Sequence, residues 1–465
     1  MGKTLWILTE ERPKRTVVRD IINRFLRLRG TDDLVGELEI LPRFSSEGSF
    51  LMEYQVVGVS SHFFENIQLR VVSGNSSFTD YLVYWQEELP TPSDRPEFVV
   101  EETKTDDSES RNTGAFQRAT KFVYLDLFYE GVDRAMLYNI QIDHESSASP
   151  TNVFGTRCLR TLGVEILGKE DDAKSSEPFK DLDEMIEARA RIRRPPRGNV
   201  PILVERSRDS ISISGRLVKS GGLSHDPNIG AISLIAAVTR KLGWEGRIEV
   251  THHGLSQSML GPRNKFVQIG NHLDLELKGL SLPVAETPGT YWKFETSGEK
   301  VATIFLHLAI ERSNLGEIIF ENHAGCERGY FVGANKSLMQ VSKRVRDSRG
   351  GMPSGAEAVQ LPDLVIHDSM RNEVLMIEGE RSQNLSVGIQ QLQTFRNFET
   401  EYVIRQYPGI RTQRVIVLFG GKKARSLPTE VAFQLTDDGA FNFGRDCPPL
   451  ISNVINSQIN RVEEL

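Results

Sequence analysis

Two stretches of this 465-residue chain place carboxylates where a divalent cation and a phosphate could be handled together. In the first, Leu361 to Asp368 is mostly apolar, Ser369 to Asn372 is polar, and Glu373 to Glu380 is apolar again until it closes on Glu378-Gly379-Glu380. The pattern predicts strand, turn, strand. Antiparallel pairing would bring Asp363, entering the first arm, to the end where Glu378 and Glu380 leave the second, and those two share a face because they are two residues apart. Such a cluster offers Mg2+ the hard oxygen ligands it prefers and leaves positions for water and a phosphate oxygen, which is the chemistry of phosphodiester hydrolysis. The second stretch repeats the logic with Phe78 to Trp85 as one arm and Pro96 to Lys104 as the other. Here Asp80 and Glu102 are the expected metal ligands. Lys104, on the side of Glu102, would orient the attacking water and offset phosphate charge. Gln117 and Arg118 open the following helix and, with Ser108, Arg111 and Asn112, supply donors for DNA phosphates or base edges.

Pro362-Asp363...Glu378-Gly379-Glu380 resembles the motif of the PD-(D/E)XK nuclease superfamily except at its last position, where most members carry Lys and some restriction enzymes carry Glu. Asp80...Glu102-Thr103-Lys104 has the full residue set without the preceding Pro. The resemblance covers about residues 15 to 145 and 335 to 425. It implies a restriction-endonuclease-like core present twice, each a mixed sheet flanked by helices with the acidic residues at one sheet end. It also implies a Gln on the helix after the motif, a role open to Gln117 in one copy and to Gln390 or Gln391 in the other. The function implied is that of a type II site-specific deoxyribonuclease acting on double-stranded DNA with Mg2+. Its catalytic residues would be Asp80, Glu102, Lys104, Asp363, Glu378 and Glu380, and Arg111, Asn112, Gln117 and Arg118 would contact DNA. Two cutting centres in one chain, or one active centre beside a degenerate relic, both fit, and so does a homodimer. The alternatives are a non-catalytic DNA-binding or assembly protein on a degenerate nuclease scaffold, and a repair or modification-dependent nuclease.

The elements around these motifs alternate between periods. Val17 to Leu28 and Thr113 to Tyr129 carry helical spacing, whereas Leu51 to Val59, Ile67 to Val72, Tyr81 to Trp85 and Met136 to Ile142 read as strands, giving an α/β or α+β fold. Charged residues punctuated by Pro195-Pro196 make 168 to 201 the expected linker. The expected domains are therefore 1–180, 181–300 and 301–465, the middle one reading DNA bases. Within it, Ile229 to Leu242 is an expected helix, and Arg247 to Val250, Phe266 to Ile269 and Leu273 to Leu277 are expected strands. A later helix is expected over Val387 to Ile404, and Ser210 to Ser214 as an edge strand.

Composition sets the remaining bounds. At 39% hydrophobic and 26% charged residues the chain is expected to fold, and no apolar run reaches the roughly 20 residues that cross a bilayer, so a cytoplasmic location is expected. The net charge of -7 leaves phosphate recognition to local basic clusters, and the run of Arg189, Arg191, Arg193, Arg194 and Arg197 fits equally a phosphate contact or a solvated helix end before Pro195-Pro196. Cys158, Cys326 and Cys447 are too scattered for a disulfide framework. His252-His253 would point to opposite faces of a strand, and His323 with Cys326 is an incomplete ligand set, so neither is expected to bind zinc.

Overall fold

The computed structural model describes residues 2–31, 36–75, 77–103, 114–139, 149–168, 177–192, 203–215, 217–219, 222–223, 228–252, 254–294, 300–323, 328–342 and 359–460. They form two compact units. The first joins residues 1–73 and 86–88 to 294–465, and the second comprises residues 74–85 and 89–293. The sequence-based division at 180 falls inside the second unit and that at 300 lies close to its end.

In chain order, the first unit begins with β1 (Thr4–Thr9), α1 (Arg15–Arg27), β2 (Glu39–Phe44), β3 (Phe50–Val57) and β4 (Asn66–Gly74). Antiparallel β2, β3 and β4 are followed by β1, parallel to β4. The buried Val17, Val18, Ile21, Ile22 and Phe25 form one stripe of α1, as helical spacing predicts.

The second unit carries β5 (Tyr81–Gln86), β6 (Phe98–Thr103), α2 (Gly114–Phe128), β7 (Asp133–Tyr138), α3 (Pro150–Thr161) and β8 (Val164–Leu167). β5 and β6 are an antiparallel hairpin, and β7 and β8 add to it in parallel through the α2 and α3 crossovers. Then come α4 (Leu182–Arg191), β9 (Leu203–Arg206), β10 (Ser210–Gly215), α5 (Gly230–Lys241), β11 (Arg247–His252), α6 (Lys265–His272) and β12 (Leu275–Leu277). The last four strands form a separate small sheet in the order β12-β11-β10-β9, so β10 is an interior strand and not the expected edge. One apolar core runs from α2 and α3 through α4 and α5 to α6 and β12.

Two departures from expectation have local causes. The segment expected as a linker contains α4, capped by the Asp181 carboxylate on the Glu184 N–H at 2.8 Å, and Met185 is fully buried in the core. The expected strand at Phe266 to Ile269 is instead helix α6, because the Asn264 side chain accepts from the Phe266 N–H at 2.8 Å and starts a helix there.

The first unit resumes with α7 (Lys300–Ser313), β13 (Glu317–Glu321), β14 (Leu364–Asp368), β15 (Glu373–Arg381), α8 (Leu385–Thr394), β16 (Arg411–Phe419), β17 (Val431–Leu435), β18 (Phe441–Phe443) and α9 (Pro449–Asn460). A six-stranded mixed sheet follows the order β13-β14-β15-β16-β17-β18, antiparallel from β13 to β15 and parallel from β15 through β17. The central β15 is buried along Val374 to Glu380, which explains its unbroken apolar run. Its hairpin turns on Asn372 at φ 51°, a left-handed position Asn tolerates, and the Asp368 side chain accepts from the Arg371 N–H at 3.1 Å. The chain is thus a mixed α/β protein with several mixed sheets flanked by helices. Among the described residues, no helix is long and apolar enough to cross a membrane.

Gly230 opens α5 against α2 so closely that a Cβ there would lie 2.0 Å from the Phe116 carbonyl oxygen, which is backbone and cannot swing away. Gly230→Ala is expected to destabilise the second unit by about 1–3 kcal/mol, measured by urea unfolding, and a neutral result would rule out this close approach.

Candidate active site

The β14–β15 register sets Leu364 opposite Ile377, so Asp363 lies opposite Glu378 at the end of the hairpin. The Gly379 N–H donates to Asp363 Oδ2 at 2.9 Å, tying the carboxylate across the strand pair. Asp363 is held from two more directions: its N–H donates to the Ile377 carbonyl at 3.0 Å and its own carbonyl accepts from the Asn322 N–H at 2.7 Å. Asp363, Glu378 and Glu380 line one cavity of about 190 Å3, together with Asn322, Gln360, Gln391 and Thr394. The cavity has room for several waters. Glu378 and Glu380 are buried, at 8% and 5% exposure, so their charges sit where electrostatic interactions are strong.

Helix α8 roofs this cluster. A Cβ on Gly388 would stand 2.7 Å from Glu380 Cγ, so the absent side chain lets the helix close over the carboxylate. Three residues on, Gln391 turns to the cavity, and its Oε1 is buried with no hydrogen-bond partner among the described residues. Of the two glutamines expected for this role, Gln391 lines the cavity and Gln390 is exposed. Three carboxylates and a buried amide oxygen around one small space form a donor set suited to a hard cation such as Mg2+. Asn322, Gln360 and Thr394 were not anticipated. Asn322 follows β13, which reaches the site through sheet pairing and not through any local pattern.

The second unit repeats the hairpin in a shifted frame. Tyr81 pairs with Val100, so Asp80 lies opposite Glu101, not Glu102. The Glu102 N–H donates to Asp80 Oδ2 at 2.7 Å, the same contact that Gly379 makes to Asp363. By this correspondence Glu101 matches Glu378, Glu102 matches Gly379 and Thr103 matches Glu380. The Glu102 carboxylate meets Asn139 Nδ2 at 2.9 Å. The buried Tyr291 hydroxyl steadies the approach to Asp80, donating to the Ser77 carbonyl at 2.9 Å and accepting from the Thr79 N–H at 3.3 Å.

A cation from α2 closes this second cluster. Lys121 Nζ reaches both Glu101 carboxylate oxygens at 2.7 and 2.8 Å and Asp80 Oδ1 at 3.7 Å. Arg118 Nε lies 3.6 Å from Glu101 Oε1 and donates to the Glu102 carbonyl at 3.2 Å. Arg118 and Lys121 share a helix face at i and i+3, the spacing from which Lys121 could have been anticipated. Gln117, one residue off that face, is exposed. Lys104, Arg111 and Asn112 lie outside the described residues, as does most of the arginine run. Of that run, Arg189 is buried, with Nη1 donating to the Ile192 carbonyl at 3.4 Å, and Arg191 pairs with Glu187 at 3.0 Å.

Burial pushes the Glu101 carboxyl up to about 7, with the Asp80 charge adding to the effect and Lys121 and Arg118 opposing it. Burial alone would lower the Lys121 ammonium, but Glu101 and Asp80 outweigh it and the net shift is upward. The folded state therefore holds a proton on Glu101 more tightly than the unfolded chain, whose ordinary value is 4.5, and this group's contribution to stability falls as pH rises through that window to about 7.

No family model, curated protein or solved structure matches this chain.

Lys121→Met would strand the Glu101 charge. The variant is expected to lose about 3–5 kcal/mol at pH 8, by denaturant unfolding, and much less at pH 5, where Glu101 carries a proton. Equal losses at both pH values would show that the ion pair is not what Lys121 contributes.

Proposed function

We propose that this protein is a Mg2+-dependent endonuclease of double-stranded DNA, site-specific in the manner of a type II restriction enzyme, with Asp363, Glu378 and Glu380 as its principal cutting centre. The observation that carries this reading is the convergence of those three carboxylates on one cavity at the end of an antiparallel hairpin. A mixed sheet with a helix crossing from β15 to β16 supports the resemblance to the PD-(D/E)XK core. Asp363 and Glu378 would hold the ion, which when bound supplies Lewis acidity toward a phosphate oxygen and a lowered pKa for water. Asp363 is oriented for this by the Gly379 N–H, and Gln391 Oε1 would accept a hydrogen bond from a water bound in the cavity. Glu380 stands where the resembled family most often has Lys. A carboxylate there would accept a proton from the attacking water as it adds in line to phosphorus, the P–O3′ bond would break, and the departing O3′ oxygen would take its proton from solvent water.

For the second unit, the clamp of Lys121 on Glu101 favours the relic over a second cutting centre: a carboxylate already neutralised by an ammonium competes poorly for a metal ion.

With plasmid DNA and Mg2+, wild-type protein is expected to give discrete fragments, and none in EDTA. Glu378→Ala is expected to lower the cleavage rate about 100-fold or more. Glu101→Ala should still yield linear product; nicked circles from it would instead make the second cluster a strand-specific centre. A wild type that binds DNA without cutting would support the non-catalytic scaffold. A smear in place of fragments would favour a repair nuclease.

The roof over Glu380 gives a further expectation. Gly388→Ala displaces Glu380 by its Cβ contact and is expected to lower cleavage about 10-fold or more at unchanged DNA affinity, because misplacement of a reacting group by about 1 Å is that costly. Unchanged cleavage would remove Glu380 from the reaction.

A further inference from the structure

Either side of the cavity-lining Asn322 in sequence, the first unit gathers a different set of side chains. His307 from the buried face of α7, Glu321 at the end of β13 and His323 two residues later present three donor atoms to one another. His307 Nδ1 is 3.0 Å from His323 Nε2, Glu321 Oε2 is 3.5 Å from the former, and it is 3.9 Å from the latter. Ligands held about 2.0–2.1 Å from a tetrahedral metal stand about 3.3–3.4 Å apart, so the three separations bracket the value a single bound ion demands.

The outer hydrogen bonds fix which ring nitrogens carry lone pairs. Glu311 Oε1 lies 3.2 Å from His307 Nε2 and, as a carboxylate, can only accept, so that nitrogen bears the proton and Nδ1 is left as a donor to a metal. Thr303 commits its hydroxyl hydrogen to the Lys300 carbonyl at 3.0 Å and so accepts from His323 Nδ1–H at 3.2 Å, leaving the lone pair on Nε2. Two imidazole lone pairs and a carboxylate oxygen therefore face the same point. A cation at that point, or one proton shared between the rings at 3.0 Å, relieves their mutual repulsion, and metal binding distinguishes the two. The carboxylate-to-histidine contact on the far nitrogen is the usual support of a ligating imidazole.

Charge and access agree with an ion. Arg12 donates to Glu321 at 2.7 Å, on Oε2 itself, and at 3.1 Å, and to Glu311 at 3.1 Å, so among the described residues two carboxylates face one guanidinium, and the imidazole pair is what would let an ion hold Oε2 alongside Arg12. Both imidazoles are sealed, with side-chain exposures of 2% and 4%, while Glu311 and Glu321 at 32% and 31% leave one side open to solvent. An ion would reach the cluster from the side of these two carboxylates.

The geometry points to a transition-metal site at His307, Glu321 and His323, fitted to Zn2+ and distinct from the carboxylate cavity. Two imidazoles and one carboxylate select a borderline ion over Mg2+. Its position suggests a bracing role: Asn322, whose N–H holds the Asp363 carbonyl, lies between two of the three ligands. In sequence His323 stands near Cys326, which lies outside the described residues; its neighbour in space is His307, on a helix and 16 positions earlier.

The test is Zn2+ and Co2+ binding to the full chain, prepared without a His tag and held in excess Mg2+ to occupy hard-oxygen sites. The expected result is a single tightly bound ion per chain, a Co2+ absorption spectrum of tetrahedral intensity, and X-ray absorption showing two imidazole scatterers. Glu378→Ala should retain this ion, His323→Ala should lose it, and Thr303→Val, which keeps the ring but removes its outer support, should bind about 10–100-fold more weakly. Absence of a bound ion in the wild type, or oxygen-only coordination around it, overturns the proposal even where a histidine variant fails to fold.

Discussion

A carboxylate that accepts a backbone N–H from the opposite strand is the constraint on which the candidate chemistry depends. Asp363 Oδ2 takes the Gly379 N–H, and Asp80 Oδ2 takes the Glu102 N–H. Such a charge-assisted bond contributes about 1.5–3 kcal/mol and fixes the acid beside its opposite Glu before any ligand arrives. The hairpin register, the buried apolar arms and the helix laid over each hairpin all serve that placement. Without it, the carboxylates would be separate charges at a strand end.

What differs between the two hairpins is the partner brought by the following helix. In one unit Gly388 removes a side chain and Gln391 adds a neutral amide, so three acids stay around an open cavity. In the other, Lys121 fills the equivalent space with an ammonium paired to Glu101. The same backbone device thus supports either an open acidic cavity or an internal ion pair, and one helical turn decides which.

The sequence exposed the C-terminal cluster because two apolar arms and a short polar turn leave little freedom in register, so Asp363, Glu378 and Glu380 could be placed by counting. The N-terminal cluster resisted counting. Glu101 and Glu102 are adjacent, their loop is long, and only the strand pairing tells which faces Asp80. Lys121, Asn322 and Gln391 reach their sites through packing between elements distant in sequence. Alternation of helix and strand was legible in the segments named from sequence, apart from α6, whose capping Asn264 outweighed a strand-like apolar run, and α4, hidden by its charge; helices α3, α7 and α9 were not anticipated.

The first unit is built from both sides of the second, with residues 1–73 waiting on 294–465. During synthesis, therefore, every residue of the inserted unit leaves the ribosome before β15 and β16 exist. A nascent chain can complete the inserted unit while the carboxylate cavity is still untranslated. Termination after the inserted unit and before Glu378 yields a polypeptide with the Lys121 cluster and no open acidic cavity, so such truncated products carry no complete copy of the Asp363, Glu378 and Glu380 cluster.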